Sequence, residues 1–188
     1  MDLEAIQGLA RLLGLRNRLD AEIGAILKRP MTHGHAGEWI ASQIFDVELE
    51  HSASNAGIDG RFRSGPLAGR TVDVKWYLKH DSVLDITQSE ATMPDHFLVF
   101  TGPVGTAGLS RSGLRPWCIE RVFLFDAHRL RAEQLARGAK LGPASSILKR
   151  HWEEAEVYPR TNNALLRLTD AQADAVRLFS EVASKSDQ

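Results

Sequence analysis

The stretch "NAGIDGRFRSGPLAGRTVDVKWY", residues 55–77, predicts two strands joined by a short loop. The strand candidates are "GIDGRF" (57–62) and "TVDVKWYL" (71–78). Between them, the glycines and proline of "RSGPLAG" are typical of a hairpin-type connection. The sequence therefore predicts a pair of neighbouring strands at this point of the chain.

The second of these strands has two chemically different faces. Side chains two residues apart on a strand point to the same side, so Asp73 and Lys75 share one face. The opposite face carries the apolar residues Val72, Val74 and Trp76. An acid and a base therefore lie side by side on a strand whose other face belongs to the core.

The remaining elements predict an α/β domain with a mixed central sheet. Residues 2–28 have helical periodicity, with Gly14 as a break that gives two helices or one kinked helix, and Pro30 as the end. Such an amphipathic start packs on the domain body or, as a second choice, forms a dimer contact. The segment "GHAGEWIASQIFD" is the next predicted helix, and further strands are predicted at 47–52, 96–102 and 117–126. We interpret 1–188 as one domain: an N-terminal helical segment (1–30), a core (31–126) and a C-terminal helical region (127–188).

Composition restricts the class of protein. The formal net charge is −1, which counts against a sequence-independent electrostatic coat on DNA but not against a local charged site. Cys118 is the only cysteine, which excludes an internal disulfide and a thiolate zinc cluster. The chain has no apolar run of the ~18 residues that a membrane span requires. The start "MDLEAIQGL" has acids where a secretory signal has basic residues, so we expect a cytoplasmic (intracellular) protein.

Three carboxylates are predicted to meet near the hairpin. If the two strands pair, Asp59 lies beside Asp73, and Glu38 in the preceding helix can reach the same place. Crowded carboxylates repel one another and raise at least one pKa. A hard divalent cation removes that repulsion, and oxygen ligands suit magnesium or manganese.

In their order, these residues resemble the PD-(D/E)xK nuclease superfamily. A helix supplies Glu38 in "GEWIA", a strand supplies Asp59 in "GIDG", and the next strand supplies "DVK", residues 73–75. The resemblance covers roughly residues 33–102, including the buried strand "HFLVF" after the lysine strand. One departure is Ile58, which stands where many members of the superfamily have proline.

The resemblance implies a restriction-endonuclease-like fold and metal-dependent cleavage of a phosphodiester, most often in DNA. Asp59 and Asp73 would hold Mg²⁺, which Mn²⁺ can replace, with Glu38 as a further direct or water-mediated ligand. Lys75 would orient the attacking water and stabilise charge that develops on the phosphate. The chemistry is sound on its own terms, because a bound metal lowers the pKa of water and neutralises the transition state.

Each residue also has an ordinary structural interpretation. Asp73 and Lys75 alone are typical of the solvated face of a strand. Asp59 is typical of a turn, and Glu38 is typical of a helix surface. Their joint order on the expected elements favours the metal site. Weaker candidates for substrate contacts, each with a plain loop or surface alternative, are His35, Arg61, Lys79 and Gln88.

These observations together predict a magnesium-dependent DNA endonuclease. A homodimer is expected because cutting both strands requires two active sites, and the near-neutral charge leaves room for a partner protein that delivers DNA. Two alternatives stay open at this level. One is a catalytically silent module of the same fold that binds DNA or serves as an assembly subunit, and the other is an RNA-directed nuclease.

Overall fold

The computed structural model describes residues 2–50, 57–104 and 116–180. These ranges contain five α-helices, which are α1 (Leu3–Leu27), α2 (His33–Ile44), α3 (Ala127–Ala136), α4 (Lys149–Ala155) and α5 (Asp170–Arg177). They also contain eight strands, which are β1 (Val47–Leu49), β2 (Gly60–Phe62), β3 (Thr71–Tyr77), β4 (Val83–Leu84), β5 (His96–Thr101), β6 (Arg121–Asp126), β7 (Ser145–Ser146) and β8 (Glu156–Tyr158). The fold is therefore α/β, as predicted.

Six of the strands form one mixed sheet in the order β1-β2-β3-β5-β6-β8. Strand β3 pairs with β5 in parallel, and the other neighbours in this sheet pair antiparallel. Strands β4 and β7 form a separate two-stranded sheet. The predicted hairpin is present: β2 and β3 pair antiparallel, with Gly60 opposite Val72 and Arg61 opposite Thr71.

Strand β2 is shorter than predicted and begins after Asp59. At Gly60 the strands approach so closely that an added Cβ would lie 2.4 Å from the Glu48 carbonyl oxygen of β1. Only glycine fits at this position, where β2 pairs closely with β1. The close approach fixes where β2 starts and so places Asp59 at its entry.

The central sheet has helices on both faces. On one face the apolar side of α2 packs with Val74 and Trp76 of β3, and Val176 of α5 joins the same cluster. On the other face Phe97 and Phe123 pack with Leu130 of α3 and with α4. All six side chains of β5 are buried, which agrees with its continuous apolar sequence. This strand is the centre of the core, and β3 lies directly beside it.

Helix α2 starts where its sequence allows a cap. The Thr32 hydroxyl accepts a hydrogen bond from the His35 backbone N–H at 3.1 Å, as an N-cap residue does. The buried stripe consists of Ala36, Gly37, Ile40, Ala41 and Ile44. Gly37 lies against β3, because an added Cβ would lie 3.3 Å from Trp76 Cβ. Glu38 therefore sits next to the residue through which α2 touches β3.

Helix α1 contrasts with the rest of the fold. It is a single helix that continues through Gly14, so the predicted break does not occur. Leu27 is its only buried residue, and eight of its leucine and isoleucine side chains are 39–62% exposed. Even so, none of the helices in the described ranges has the length and apolar character needed to cross a bilayer.

The C-terminal region is more mixed than predicted. Thr169 and Gln172 form a capping box that opens α5. However, the region 127–188 also contributes β7 and β8, and β8 completes the central sheet beside β6. Asn163 fixes this edge, because its side-chain amide donates to the Leu124 carbonyl at 2.8 Å and the Ala155 carbonyl at 3.1 Å.

Candidate active site

Asp59 is anchored to β3 by both its backbone and its side chain. Its N–H donates to the Val72 carbonyl at 2.9 Å, and its carboxylate Oδ2 accepts from the Val74 N–H at 2.7 Å. Strand β3 continues past the start of β2, so the carboxylate takes the place of a strand carbonyl for this donor. The side chain is consequently held in one orientation, next to residue 73.

Asp73 and Lys75 form an ion pair on the face of β3 opposite α2. Lys75 Nζ lies 2.8 Å from Asp73 Oδ2, and the two side chains are only 16% and 14% exposed. The ammonium also lies 5.5 Å from the centre of the Phe97 ring of β5. The acid and base noted in the sequence are therefore paired with each other and largely removed from water.

Burial changes the acidity of Asp73. The pKa of this carboxyl is raised to about 6, first by burial and then by the neighbouring charges of Asp59 and Asp85, while Lys75 opposes the rise. A carboxyl with this pKa is mostly ionised at neutral pH but takes up a proton under mild acid. Strongly shifted acids of this kind are typical of functional sites, although structural ion pairs also produce them.

Glu38 of α2 lies close enough to Asp59 for their charges to interact, and it is paired with Arg29. The Arg29 Nη1 donates to Glu38 Oε2, and the Glu38 side chain is 15% exposed. Burial and then the charge of Asp59 raise the pKa of Glu38, against the lowering effects of Arg29 and His35. Because Asp59 acts on Glu38 through space, the two carboxylates from different elements are neighbours.

The four predicted residues thus form a chain of interactions centred on Asp59. Asp59 raises the pKa of both Glu38 and Asp73. Its own pKa is raised by burial, against the Val74 N–H and the charges of Lys75 and Arg29. The ion-pair partners of Glu38 and Asp73 are Arg29 and Lys75, respectively. Asp59 therefore links Glu38 electrostatically to the Asp73–Lys75 pair, and the catalytic and metal-binding roles of the four residues stay predictions.

The donor chemistry of this cluster suits a hard cation, but its ligands are not gathered into a closed set. Within residues 2–50, 57–104 and 116–180, no group of three or more histidine, cysteine, aspartate or glutamate side chains is arranged to hold a metal ion. Two of the three acids are instead occupied by cationic side chains of the protein, Glu38 by Arg29 and Asp73 by Lys75. A divalent ion would have to compete with those cations.

The weaker substrate candidates all have partners within the protein. His35 Nδ1 lies 2.8 Å from the Pro30 carbonyl, and Lys79 Nζ lies 2.7 Å from Asp81 Oδ2. The other two contact backbone carbonyls: Arg61 Nη1 lies 3.3 Å from Gly69 O, and Gln88 Nε2 lies 3.0 Å from Leu141 O. Of the four, only His35 acts on the site, by lowering the pKa of Glu38. The contacts of these residues with a substrate stay predictions.

Two residues of the site were missed in the sequence. Arg29 follows α1 and reaches Glu38, although nothing in the helical periodicity marks it as more than a surface cation. Asp85 follows β4 and acts on Asp73, and its backbone N–H donates to the Tyr77 hydroxyl at 2.9 Å. Both positions depend on how loops fold back on the sheet, which no local pattern reports.

The described cavities lie elsewhere. One, of about 250 Å³, is lined by residues that include Arg129, Glu133 and His151 beside α3 and α4. Another, of about 320 Å³, is lined by residues that include His80 and Trp152. Neither is lined by any of the four predicted residues. In its geometry, the cluster around Asp59 is therefore distinct from these two pockets.

Comparison with known proteins adds no assignment: no protein-family model matches the chain, and no curated protein matches it.

Proposed function

We propose that this protein is a metal-dependent nuclease of restriction-endonuclease-like fold that hydrolyses phosphodiester bonds, with DNA as the expected substrate. The observation that carries the proposal is the largely buried ion pair of Asp73 and Lys75 next to Asp59. A carboxylate and an ammonium held this way on one strand, with a second carboxylate beside them, suit metal binding and phosphate chemistry in one place. The sequence resemblance supports DNA in particular.

The proposed roles follow from the position of each side chain. Asp59 and Asp73 are the residues that would hold Mg²⁺ or Mn²⁺, with Glu38 as a third oxygen donor once Arg29 releases it. When bound, such an ion lowers the pKa of water and neutralises charge on the phosphate. The Val74 N–H keeps Asp59 oriented. Lys75 is close enough to Asp73 to orient a water molecule and to stabilise negative charge on the phosphate.

The experiment that tests the proposal uses the purified full chain and four substrates. Supercoiled, linear duplex and single-stranded DNA, and RNA, are each incubated with Mg²⁺, with Mn²⁺ or with a chelator. We expect cleavage of DNA that requires the metal and stops with the chelator. Cleavage of RNA alone would move the proposal to an RNA-directed nuclease, and cleavage that persists in chelator would contradict the metal requirement.

A second candidate is a silent module of the same fold that binds DNA or serves as an assembly subunit. The observation that favours it is that Glu38 and Asp73 are already paired with Arg29 and Lys75, without a preformed metal group in the described ranges. Calorimetric titration with Ca²⁺ or Mn²⁺ separates the two candidates. A nuclease should bind the ion in the wild type and lose it in Asp73→Ala, whereas the silent module should bind it in neither.

We also propose that two copies pair through α1. Leu12, Leu19 and Ile26 recur at seven-residue spacing, as in the seam of a coiled coil, and each is more than half exposed. An antiparallel pairing sets Asp2 and Glu4 of one copy against Lys28 of the other, whereas a parallel pairing in register sets like charges together. Charge therefore favours the antiparallel dimer, and two sites in one particle suit cutting of both DNA strands.

A further inference from the structure

We infer that Arg29 is a built-in counter-ion of the site, which competes with the metal for Glu38 and, once released, binds a phosphate of the nucleic acid. The inference rests on the proposed function and deepens it, because it assigns a substrate contact to a residue that neither the sequence motif nor its spacing includes. Each step follows from the contacts of Arg29.

The first step is that Arg29 already occupies a cation position. Its guanidinium is bonded to Glu38 Oε2, and its charge lowers the pKa of Asp59 as well as that of Glu38. The positive charge of Arg29 thus stabilises the ionised forms of two of the three carboxylates, Glu38 and Asp59. A divalent ion bound to the same carboxylate oxygens would repel the guanidinium, because both are positively charged. The ion and the guanidinium therefore compete for Glu38.

The second step is that hydrogen bonds hold the backbone around Arg29, whereas its side chain is partly exposed to solvent. The Arg29 N–H donates to the Gly24 carbonyl at 3.3 Å, and the neighbouring Pro30 carbonyl lies 2.8 Å from His35 Nδ1 of α2. The side chain itself is 45% exposed. In this inference the guanidinium leaves Glu38 while the backbone contacts keep Arg29 beside the site.

The third step concerns what a released guanidinium would bind. Its planar fork of N–H donors matches the oxygens of a phosphate, which makes arginine a common ligand for nucleic-acid backbones. The scissile phosphate would lie at the metal, next to the position that Arg29 leaves. The same residue thus balances the acids before substrate arrives and contributes to phosphate binding afterwards.

The test measures metal affinity without relying on cleavage. In calorimetric titrations of the full chain with Ca²⁺, we expect Arg29→Gln to bind the ion roughly fivefold or more tightly than wild type, the scale of one exposed ion pair. Arg29→Lys keeps the charge and should remain near wild type. Arg16→Gln is the matched control: Arg16 belongs to α1 and pairs with Asp20 in an exposed contact at 3.4 Å, so its loss should change nothing.

A second measurement follows DNA binding in Ca²⁺ as salt is varied. Arg29→Gln should weaken binding at every sequence and reduce the slope of log affinity against log salt by about one, as expected for one lost phosphate contact. Unchanged or weaker metal binding in Arg29→Gln, or an unchanged salt slope, would overturn the inference. If the wild type neither binds metal nor cuts DNA, the proposed function fails together with it. If the wild type does both and Arg29→Gln behaves identically, only the inference fails.

Discussion

Helix α1 and the Asp59–Asp73–Lys75 cluster depart from ordinary surface chemistry in opposite directions. The helix exposes leucines and isoleucines to water along most of its length. The cluster does the reverse and buries charged groups, with Asp73 and Lys75 only 14% and 16% exposed. Soluble proteins rarely leave a large contiguous apolar surface uncovered or take charges out of water unless these are paired.

The difference shows what each region lacks. The free energy falls when another apolar surface covers the exposed apolar seam of α1. The helix is therefore suited to a macromolecular partner. The buried ion pair of Asp73 and Lys75, with Asp59 as a second acid beside it, gains little from such a cover, because its unfavourable energy is electrostatic. That energy falls when a cation of higher charge is bound. The comparison therefore predicts that α1 determines assembly and the cluster determines chemistry, and the two should respond to separate mutations.

The largest expected effect is on cleavage. Lys75→Ala and Asp73→Asn should each lower the rate of plasmid cleavage by about 10³-fold, comparable to the loss of one group that stabilises charge in a transition state. The rate is measured at a metal concentration that saturates the wild type, and circular dichroism checks that each variant is folded.

The control for these variants is Glu48→Gln, which removes an exposed acid from β1 of the same sheet. It should leave the rate unchanged. Wild-type cleavage in Lys75→Ala would contradict the role assigned to the lysine, and a loss in Glu48→Gln would mean that the effect is not specific to the cluster.

The next largest effect concerns assembly. The double substitution Leu12→Asp and Leu19→Asp places charges in the middle of the exposed seam and should raise the dimer dissociation constant at least about 100-fold, since burying unpaired charges is strongly unfavourable. Light scattering over a range of protein concentrations measures this. Metal binding should not change, because the seam and the cluster share no side chain.

A wild type that is strictly monomeric at high concentration, with and without DNA, would remove the dimer proposal. A metal affinity that falls along with dimerisation would instead show that the two regions are coupled. That result would contradict the expectation that they respond to separate mutations.

A smaller effect is expected on stability as a function of pH. The folded state raises the pKa of Asp73 from 3.8 to about 6, so the folded chain holds this proton more tightly than the unfolded chain. Stability is therefore lost as the pH rises between these values, by up to about 3 kcal/mol. Asp73→Asn cannot ionise, so it should be more stable than wild type at pH 8 and similar to it at pH 4 when unfolded by urea.

Asp46 provides the opposite case. The pKa of Asp46 is lowered, chiefly by the hydrogen bond from the Ser64 hydroxyl and also by Arg63. Its contribution is present at neutral pH and is lost as the pH falls through the folded-state pKa. Asp46→Asn should therefore be less stable than wild type at pH 7, with the difference disappearing in acid. The same sign in both variants would contradict the assignment of a burial cost to Asp73.

The parts of the site that could be predicted from sequence are those that local geometry determines. Alternation along a strand fixes Asp73 and Lys75 on one face, and the antiparallel pairing of β2 with β3 brings Asp59 alongside. The helical pattern of "GHAGEWIASQIFD" places Glu38 on a helix, which the structure shows as α2. These relations hold within a few residues, or across one turn, and they need no knowledge of the rest of the chain.

The parts that could not be predicted depend on contacts between distant segments. Arg29 reaches Glu38 because Lys28 adopts a left-handed conformation, with φ of 54°, and because Pro30 is tied to α2. Strand β8 is three residues long and has too few positions to show a period. The exposure of α1 was equally invisible, since an amphipathic pattern does not say whether the domain or a partner covers it.

The smallest expected effects separate the cluster from its surroundings. Gln88→Ala removes the donor to the Leu141 carbonyl and should lower stability by about 1 kcal/mol, the usual contribution of one hydrogen bond, with the KM for DNA unchanged. Lys79→Ala breaks an exposed pair with Asp81 and should raise KM by less than about threefold. Both are measured by urea unfolding alongside steady-state cleavage. A tenfold rise in KM for Gln88→Ala at unchanged stability would show that this residue contacts the substrate, and the functional surface would then extend from β3 to the loop that follows β4.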